Sequence, residues 1–289
     1  MTSTASTAPT ASTDPSNAPP GRAEPPAAGW RVDPLFLLRE LVKRDIQTRY
    51  AGSYLGLVWT VLQPLWQLLL FTFVFAVVLR IALPPEARTS SFALYLFAAF
   101  VPWIAVQEGI LRGTSAITDG AELVKKMRLP PHLLVVTPVL GGLLQSVIAM
   151  GILALVAASA GEADLRRAWL VLLVLPFQLA LTLGAALTLA AVHVFLRDTL
   201  QLVHVALMTW FYLTPVVYPF SLVPADRGGL RALVGANPLT AVVETYRAAF
   251  LGEALAWTTL VPLFVAAPCL LLVGSWIFRT LRPAFADEI

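Results

Sequence analysis

Residue types that usually carry chemistry are few and scattered in this chain. His132, His193 and His204 are the only histidines and lie far apart, and the single cysteine, Cys269, sits in an apolar run. Neither has the spacing of a metal set or a disulfide framework, and Cys269 reads as a buried, inert thiol. No G-x-x-x-x-G-K-[ST] loop is present to cradle a nucleotide phosphate, and no H-E-x-x-H or G-x-S-x-G occurs. Asp226 and Glu244 do not make a convincing carboxylate pair for a transferase. The residues left for function are charges and aromatics that position, dock or line. Glu122, Lys125, Lys126 and Arg128 gather in the polar stretch from Arg112 to His132, just before Pro130-Pro131. They suit either a solvated loop that fixes topology or a short helix that docks on another protein.

A second set lies in or near apolar runs. Gln63, Gln67, Gln107, Glu108, Gln145 and Gln178 are costly there. Their plainest role is hydrogen bonding between helices, at about 1 kcal/mol or less each, and Glu108 also fits the polar end of its run. Aromatics recur at Trp59, Trp66, Phe71, Phe73 and Phe75 and again at Trp210, Phe211, Tyr212 and Tyr218. They read either as lipid-facing bulk and interface belt or as a lining on which sugar rings stack.

The elements that must position these residues are membrane helices. The chain of 289 residues is 58% hydrophobic and only 13% charged, and its mean hydropathy of +0.76 excludes an ordinary soluble domain. The net charge of +3 is spread between apolar runs, so it reads as topology rather than as a nucleic-acid surface. Residues 1–29 are a Thr/Ser/Ala/Pro-rich tail that reads as disordered and uncleaved. Asp33 and Pro34 mark a helix start, and Leu35, Leu38, Val42 and Ile46 then form an apolar stripe among Arg39, Glu40, Lys43, Arg44 and Gln47. Phe36 and Leu37 fall off that stripe. This basic amphipathic helix, 33–51, suits the plane of the membrane surface.

Six apolar runs follow, at about 54–79, 92–111, 133–158, 168–192, 200–219 and 257–278. Between the last two, residues 220–254 hold two short apolar pieces that fit outer interface helices or re-entrant segments. Six crossings place both termini on one side. Of the 20 Lys and Arg, only Arg80, Arg88, Arg166, Arg167, Arg227, Arg231 and Arg247 then fall outside, and every lysine falls inside. The cytoplasmic side is thus expected to hold both termini.

Four stretches carry a family resemblance. Arg44-Asp45, Arg49-Tyr50, Ser53, Leu55-Gly56, Trp59 and Gln63-Pro64 resemble the N-terminal segment of ABC-2 type permeases, closest to those that export O-antigen, teichoic acid or capsule. Leu123-Val124-Lys125-Lys126 with Leu129-Pro130 is similar to the family's cytoplasmic motif. Trp210 to Pro215 with Tyr218-Pro219, then Asn237-Pro238-Leu239 and Glu244 to Arg247, are similar to its outer region. The resemblance spans about Arg39 to Phe278, and only the tail falls outside it.

The resemblance implies an all-α membrane protein with six spans, an N-terminal interface helix, a transmembrane domain over 52–282 and short outer gate helices between spans five and six. It implies a permease subunit, without an active site, cofactor or metal of its own. Two copies would form the pore in a bacterial plasma membrane, and two cytosolic ATPase subunits would bind ATP and magnesium. A lipid-linked glycan would be the cargo. Glu122, Lys125, Lys126, Arg128, Arg44 and Asp45 would couple to the ATPase. Trp59, Trp66, Trp210, Tyr212, Tyr218, Asn237 and Pro238 would belong to pore or gate. An ABC-2 permease for drugs or other small molecules is the rival within the family. An ion-coupled secondary transporter is the rival outside it, with Glu108 as its candidate acid.

Overall fold

The computed structural model describes residues 34–49, 52–81, 83–85, 87–127, 130–224 and 228–288. Among the described residues every regular element is helical, and five helices are long and apolar enough to cross a membrane: Trp59–Val78, Phe92–Asp119, Pro131–Ser159, Trp169–Phe195 and Trp257–Ala284. The expected tail, the Asp33 cap and Arg128 lie outside the described residues. Helix α1, Pro34–Arg49, precedes α2, Trp59–Phe71, which continues as a seven-residue π-helical segment, Thr72–Val78. Then come α3, Phe92–Asp119; α4, Ala121–Met127; α5, Pro131–Ser159; α6, Trp169–Phe195; and α7, Thr199–Leu213. The chain ends with α8, Gly228–Gly235; α9, Pro238–Leu251; α10, Val261–Leu281; and α11, Phe285–Glu288.

Local sequence explains most of the helix starts. The Ser91 hydroxyl caps α3 by accepting the Leu94 amide at 3.3 Å, and Pro131 and Pro238 sit at the first turns of α5 and α9. Helix α3 is the centre of the bundle, buried for most of its length against α5, α6 and α9. Helices α6 and α10 approach closely where both carry glycine. A Cβ on Gly184 would stand 2.5 Å from the Leu270 carbonyl carbon, so only Gly lets these backbones touch. Helix α2, by contrast, is almost wholly exposed and apolar.

Three sequence expectations change. The second apolar run does not end as a helix near Leu111, because α3 continues to Asp119, and the short helix weighed for the polar stretch is α4. At 28 residues α3 is about 42 Å long and outruns a hydrocarbon core of about 30 Å. The fifth run stops as a helix at Leu213, giving 15 residues where about 20 were expected. Pro215 explains the stop, since it cannot continue an i→i−4 ladder and disfavours helix in the residue before it. Cys269 is exposed on α10 instead of buried; an apolar run in a membrane helix satisfies its side chains with lipid as readily as with protein.

The two ends of the bundle differ, and they are called outer and inner here after the charge-based topology. At the outer end the 87–91, 160–168 and 252–256 segments knit together. Arg88 meets Asp164 at 3.1 Å, Ser90 Oγ donates to Glu162 at 2.5 Å and the Arg88 amide donates to Glu253 at 3.0 Å. At the inner end lie α1, α4, the α6–α7 turn and α11, where Phe285 packs on Phe278 and Phe195. Of the two short apolar pieces between α7 and α10, α9 is buried between α3, α6 and α10, and α8 stays peripheral.

Candidate functional site

At the inner end an ionic cluster joins α1 to two membrane helices. Arg49 pairs with Asp45 one turn earlier at 3.3 Å and with Glu108 of α3 at 2.5 Å, and donates to Gln145 Oε1 of α5 at 2.9 Å. Arg112 of α3 closes the ring, pairing through Nη2 and Nη1 with both Asp45 oxygens, the latter at 3.2 Å, and with Glu108 at 3.5 Å. Gly141 makes room on α5: a Cβ there would stand 2.8 Å from Asp45 Oδ2 and 2.9 Å from Arg49 Nη2. Two acids and two arginines balance, and all are at least half-sheltered, so removing one charge strands its partners. Breaking such a buried pair costs on the order of 3 kcal/mol.

Beside this cluster a cleft opens between α1, the end of α3, α4 and the start of α5, lined by Arg44, Asp45, Arg112, Asp119 and Leu123 among others. The structure therefore brings Arg44 and Asp45 to the same cleft as α4. Glu122 and Lys125 are exposed on α4, and Lys126 lies on the same helix. Sequence reasoning missed Arg49, Glu108 and Arg112 as one unit. Arg49 followed by an uncharged span, with an acid and a base four residues apart in the next helix, was the available signal. Glu108, the candidate acid of a proton-coupled carrier, stands between two arginines.

Near the outer end the expected gate residues divide. Trp210 Nε1 donates to Asn237 Oδ1 at 2.9 Å, and Asn237 Nδ2 donates to Thr214 Oγ1 at 2.8 Å. Asn237 also caps α9 by accepting the Leu239 amide at 3.0 Å, ahead of Pro238. The end of α7 and the start of α9 are thus held by one side chain with its hydrogen-bonding groups met. Tyr218 OH donates to the Tyr212 carbonyl at 3.1 Å, and Tyr212 itself is exposed. Trp59 and Trp66 lie elsewhere, exposed on α2, with Trp59 Nε1 donating to Ser53 at 3.0 Å.

Trp210 also heads an aromatic ladder. Trp103 packs edge-on to it at 6.5 Å and to Phe211 at 5.3 Å, and Phe100 bridges Phe211 and Phe71 at 6.5 and 5.1 Å. Phe100, Trp103, Gln107, His204, Met208 and Tyr212 line a cleft between α3 and α7.

Arg247 of α9 is the residue that charge-counting misjudged. Taken as an outer topology charge, it is 0% exposed. Its guanidinium donates to the carbonyls of Tyr95 at 3.3 Å and Val216 at 2.8 Å, pairs with Glu244 at 2.9 Å and lies 3.7 Å over the Tyr95 ring. Burial pushes the Glu244 carboxyl above its ordinary range, and the Arg247 charge opposes it. One turn away, Tyr246 OH donates to Gln178 at 3.0 Å, so α9 is tied to α3, α6 and the 214–219 segment together. Among the described residues no three His, Cys, Asp or Glu side chains are grouped to hold a metal ion.

A family model described as ABC-2 type transporter matches residues 37–251. The O-antigen export system permease protein RfbA of Myxococcus xanthus is 32% identical over 254 residues, covering 88% of this chain and 95% of that protein. A protein of the same name from Klebsiella pneumoniae is 23% identical over 252 residues, covering 87% and 94%. The matched region takes in the inner cluster, α4, the aromatic ladder and α9.

Proposed function

Because the chain belongs to the ABC-2 type transporter family, as a multi-pass membrane transport subunit, we propose that it is the permease of an ATP-driven exporter of a lipid-linked polysaccharide. The observation that carries the cargo is likeness over 95% of a relative named as an O-antigen export permease. A neutral aromatic cleft between α3 and α7 suits that cargo, since sugar rings present apolar C–H faces to aromatic surfaces.

In this reading ATP and magnesium sit on a separate ATPase subunit, two of which bind beneath a homodimer of this chain. The cleft between α1, α3, α4 and α5 receives the ATPase through Arg44 and Asp45, with Glu122, Lys125, Lys126 and Arg128 of the α4 region. Movement there reaches the membrane through the Asp45–Arg49–Glu108–Arg112 ring, because α1 cannot shift without straining α3 and α5. Helix α7 with residues 214–219 makes a sixth crossing. It starts beside the inner α11 contact at Phe195 and ends at Pro219, which shares a cleft with the outer Pro84 and Glu253. Both termini then lie in the cytoplasm, α8 and α9 form the outer gate, and the exposed apolar face of α2 meets lipid or the second copy.

The test is a mild-detergent pull-down of the tagged protein from its native cells, paired with depletion of the permease. The expected result is a stoichiometric ATPase partner with a nucleotide-binding loop, and lipid-linked glycan accumulating inside. An ATPase partner with no glycan accumulation transfers the assignment to the small-molecule rival. Recovery without any ATPase, from a complex shown to survive the detergent, overturns the reading.

A further inference from the structure

At the outer end a cleft lies between Pro84, Ala87, the 219–222 turn, α8 and α9, and the transport scheme makes no use of it. Tyr95, Phe220, Ser221, Arg231, Glu244 and Glu253 line it. Tyr95 is only 6% exposed, and its ring is held beneath the Arg247 guanidinium. Its phenolic hydroxyl makes no hydrogen bond among the described residues and is not one of their buried unpaired polar atoms, which are Arg49 Nη2 and His193 Nδ1, so it opens on the cleft. A phenolic hydroxyl held in a cleft wall without an internal acceptor is placed to donate to a ligand there.

Two acceptors accompany that donor. Glu253 is 7% exposed; its Oε1 accepts the amides of Arg88 at 3.0 Å and Thr89 at 3.2 Å, which fixes the carboxylate. Glu244 is fixed likewise through Oε1 on Arg247. The Oε2 atom of each has no partner among the described residues. Phe220 supplies an aromatic surface, with Arg231 5.1 Å from its centroid, and Arg231 is itself anchored by donating to the Val223 carbonyl at 2.9 Å.

A fixed donor, two fixed acceptors and an aromatic surface are complementary to a sugar ring, whose hydroxyls both donate and accept. Glu244 and Glu253 are balanced by Arg247 and Arg231, which favours a neutral ligand over a cation. We propose that this cleft binds a neutral, hydroxyl-rich saccharide unit of the glycan as it emerges on the outer side, Tyr95 donating to it and Glu244 and Glu253 accepting from it. The inference rests on the polysaccharide reading above.

The experiment places photoreactive p-benzoylphenylalanine at Ser221, at Ala254, at Tyr212 and, as a lipid-facing control, at Leu272 in the full chain within glycan-producing cells. After illumination the purified permease is probed for covalently attached sugar by periodate–hydrazide labelling. Adducts at Ser221 and Ala254, absent at Leu272, are expected. Tyr95→Phe, which removes one oxygen and keeps the ring, should reduce them at least about fivefold, as should Glu253→Gln, both with unchanged size-exclusion profiles. Adducts at Tyr212 alone overturn this site and leave glycan export standing. Adducts nowhere overturn both. Adducts at Ser221 and Ala254 that ignore Tyr95→Phe and Glu253→Gln overturn the assigned contacts, and adducts abolished by chelation overturn direct recognition in favour of a bridging cation.

Discussion

The inner and outer arginines of this protein are fixed in opposite ways. At the inner end Arg49 and Arg112 share Asp45 and Glu108, all partly sheltered from solvent, through several pairings. At the outer end Arg247 is fully buried and meets two backbone carbonyls, one carboxylate and one ring. A shared ring of charges ties α1 to α3 and α5, so these helices shift together. A buried guanidinium bonded to carbonyls of two other segments has one arrangement. The inner cluster suits transmission of movement, and the outer one suits a fixed platform that holds α9 to α3 and α6.

Removing the platform should produce the largest effect. Arg247→Ala leaves two carbonyls and Glu244 unpaired inside the protein, at on the order of 3–5 kcal/mol. The variant is expected to aggregate on fluorescence size exclusion, and Arg247→Lys should rescue it poorly, since one ammonium cannot reach three directions. Intact Arg247→Ala protein would show the outer end to be as adaptable as the inner.

Arg49→Ala comes next, with the emphasis reversed. The protein should assemble with a stability loss on the order of 3 kcal/mol, while ATP-dependent export falls at least tenfold. Exchanging charges in Asp45→Arg with Arg112→Asp should recover part of the export that either single change loses. No recovery would mean that the ring is static scaffolding.

Trp210→Phe keeps the aromatic ladder and deletes the bond to Asn237. It should cost about 1 kcal/mol, read as a small drop in melting temperature. Trp210→Ala and Tyr212→Ala test the cargo path separately: export should fall while assembly with the ATPase persists.

The smallest effect concerns the outer loops. Burial raises the Glu162 carboxyl, but hydrogen bonds from Ser90, Thr89 and the Ser91 and Ser90 amides outweigh this and hold it below its ordinary 4.5. An acid depressed on folding adds stability that is present above its unfolded value and lost as pH falls through the folded one. The melting temperature should therefore decline below about pH 4.5, and Glu162→Gln should flatten that decline.

Composition and local pattern determined much of this protein. Apolar runs of about 20 residues required membrane helices, and Ser91, Pro131, Asn237 and Pro238 set helix starts by chemistry within four residues of themselves. Pro215 carried the end of α7 in plain view, although the apolar run continued past it. The motifs of α1, α4 and the α7–α9 region sufficed for the family.

What hydropathy could not supply was which charges meet. Arg49 and Gln145 are 96 positions apart, and Arg247 and Tyr95 are 152 apart. A hydropathy scan scores Arg247 as a surface charge, because it sees the cost of burying a cation and not the carbonyls that offset it. Exposed α2 and buried α3 are both apolar helices, and only packing separates the one that faces outward from the one at the centre. Helix formation is decided by neighbours in sequence, whereas pairing of buried polar groups is decided by which backbones approach. Tertiary structure alone fixes that approach, at contacts such as Gly184 against Leu270 and Gly141 against Arg49.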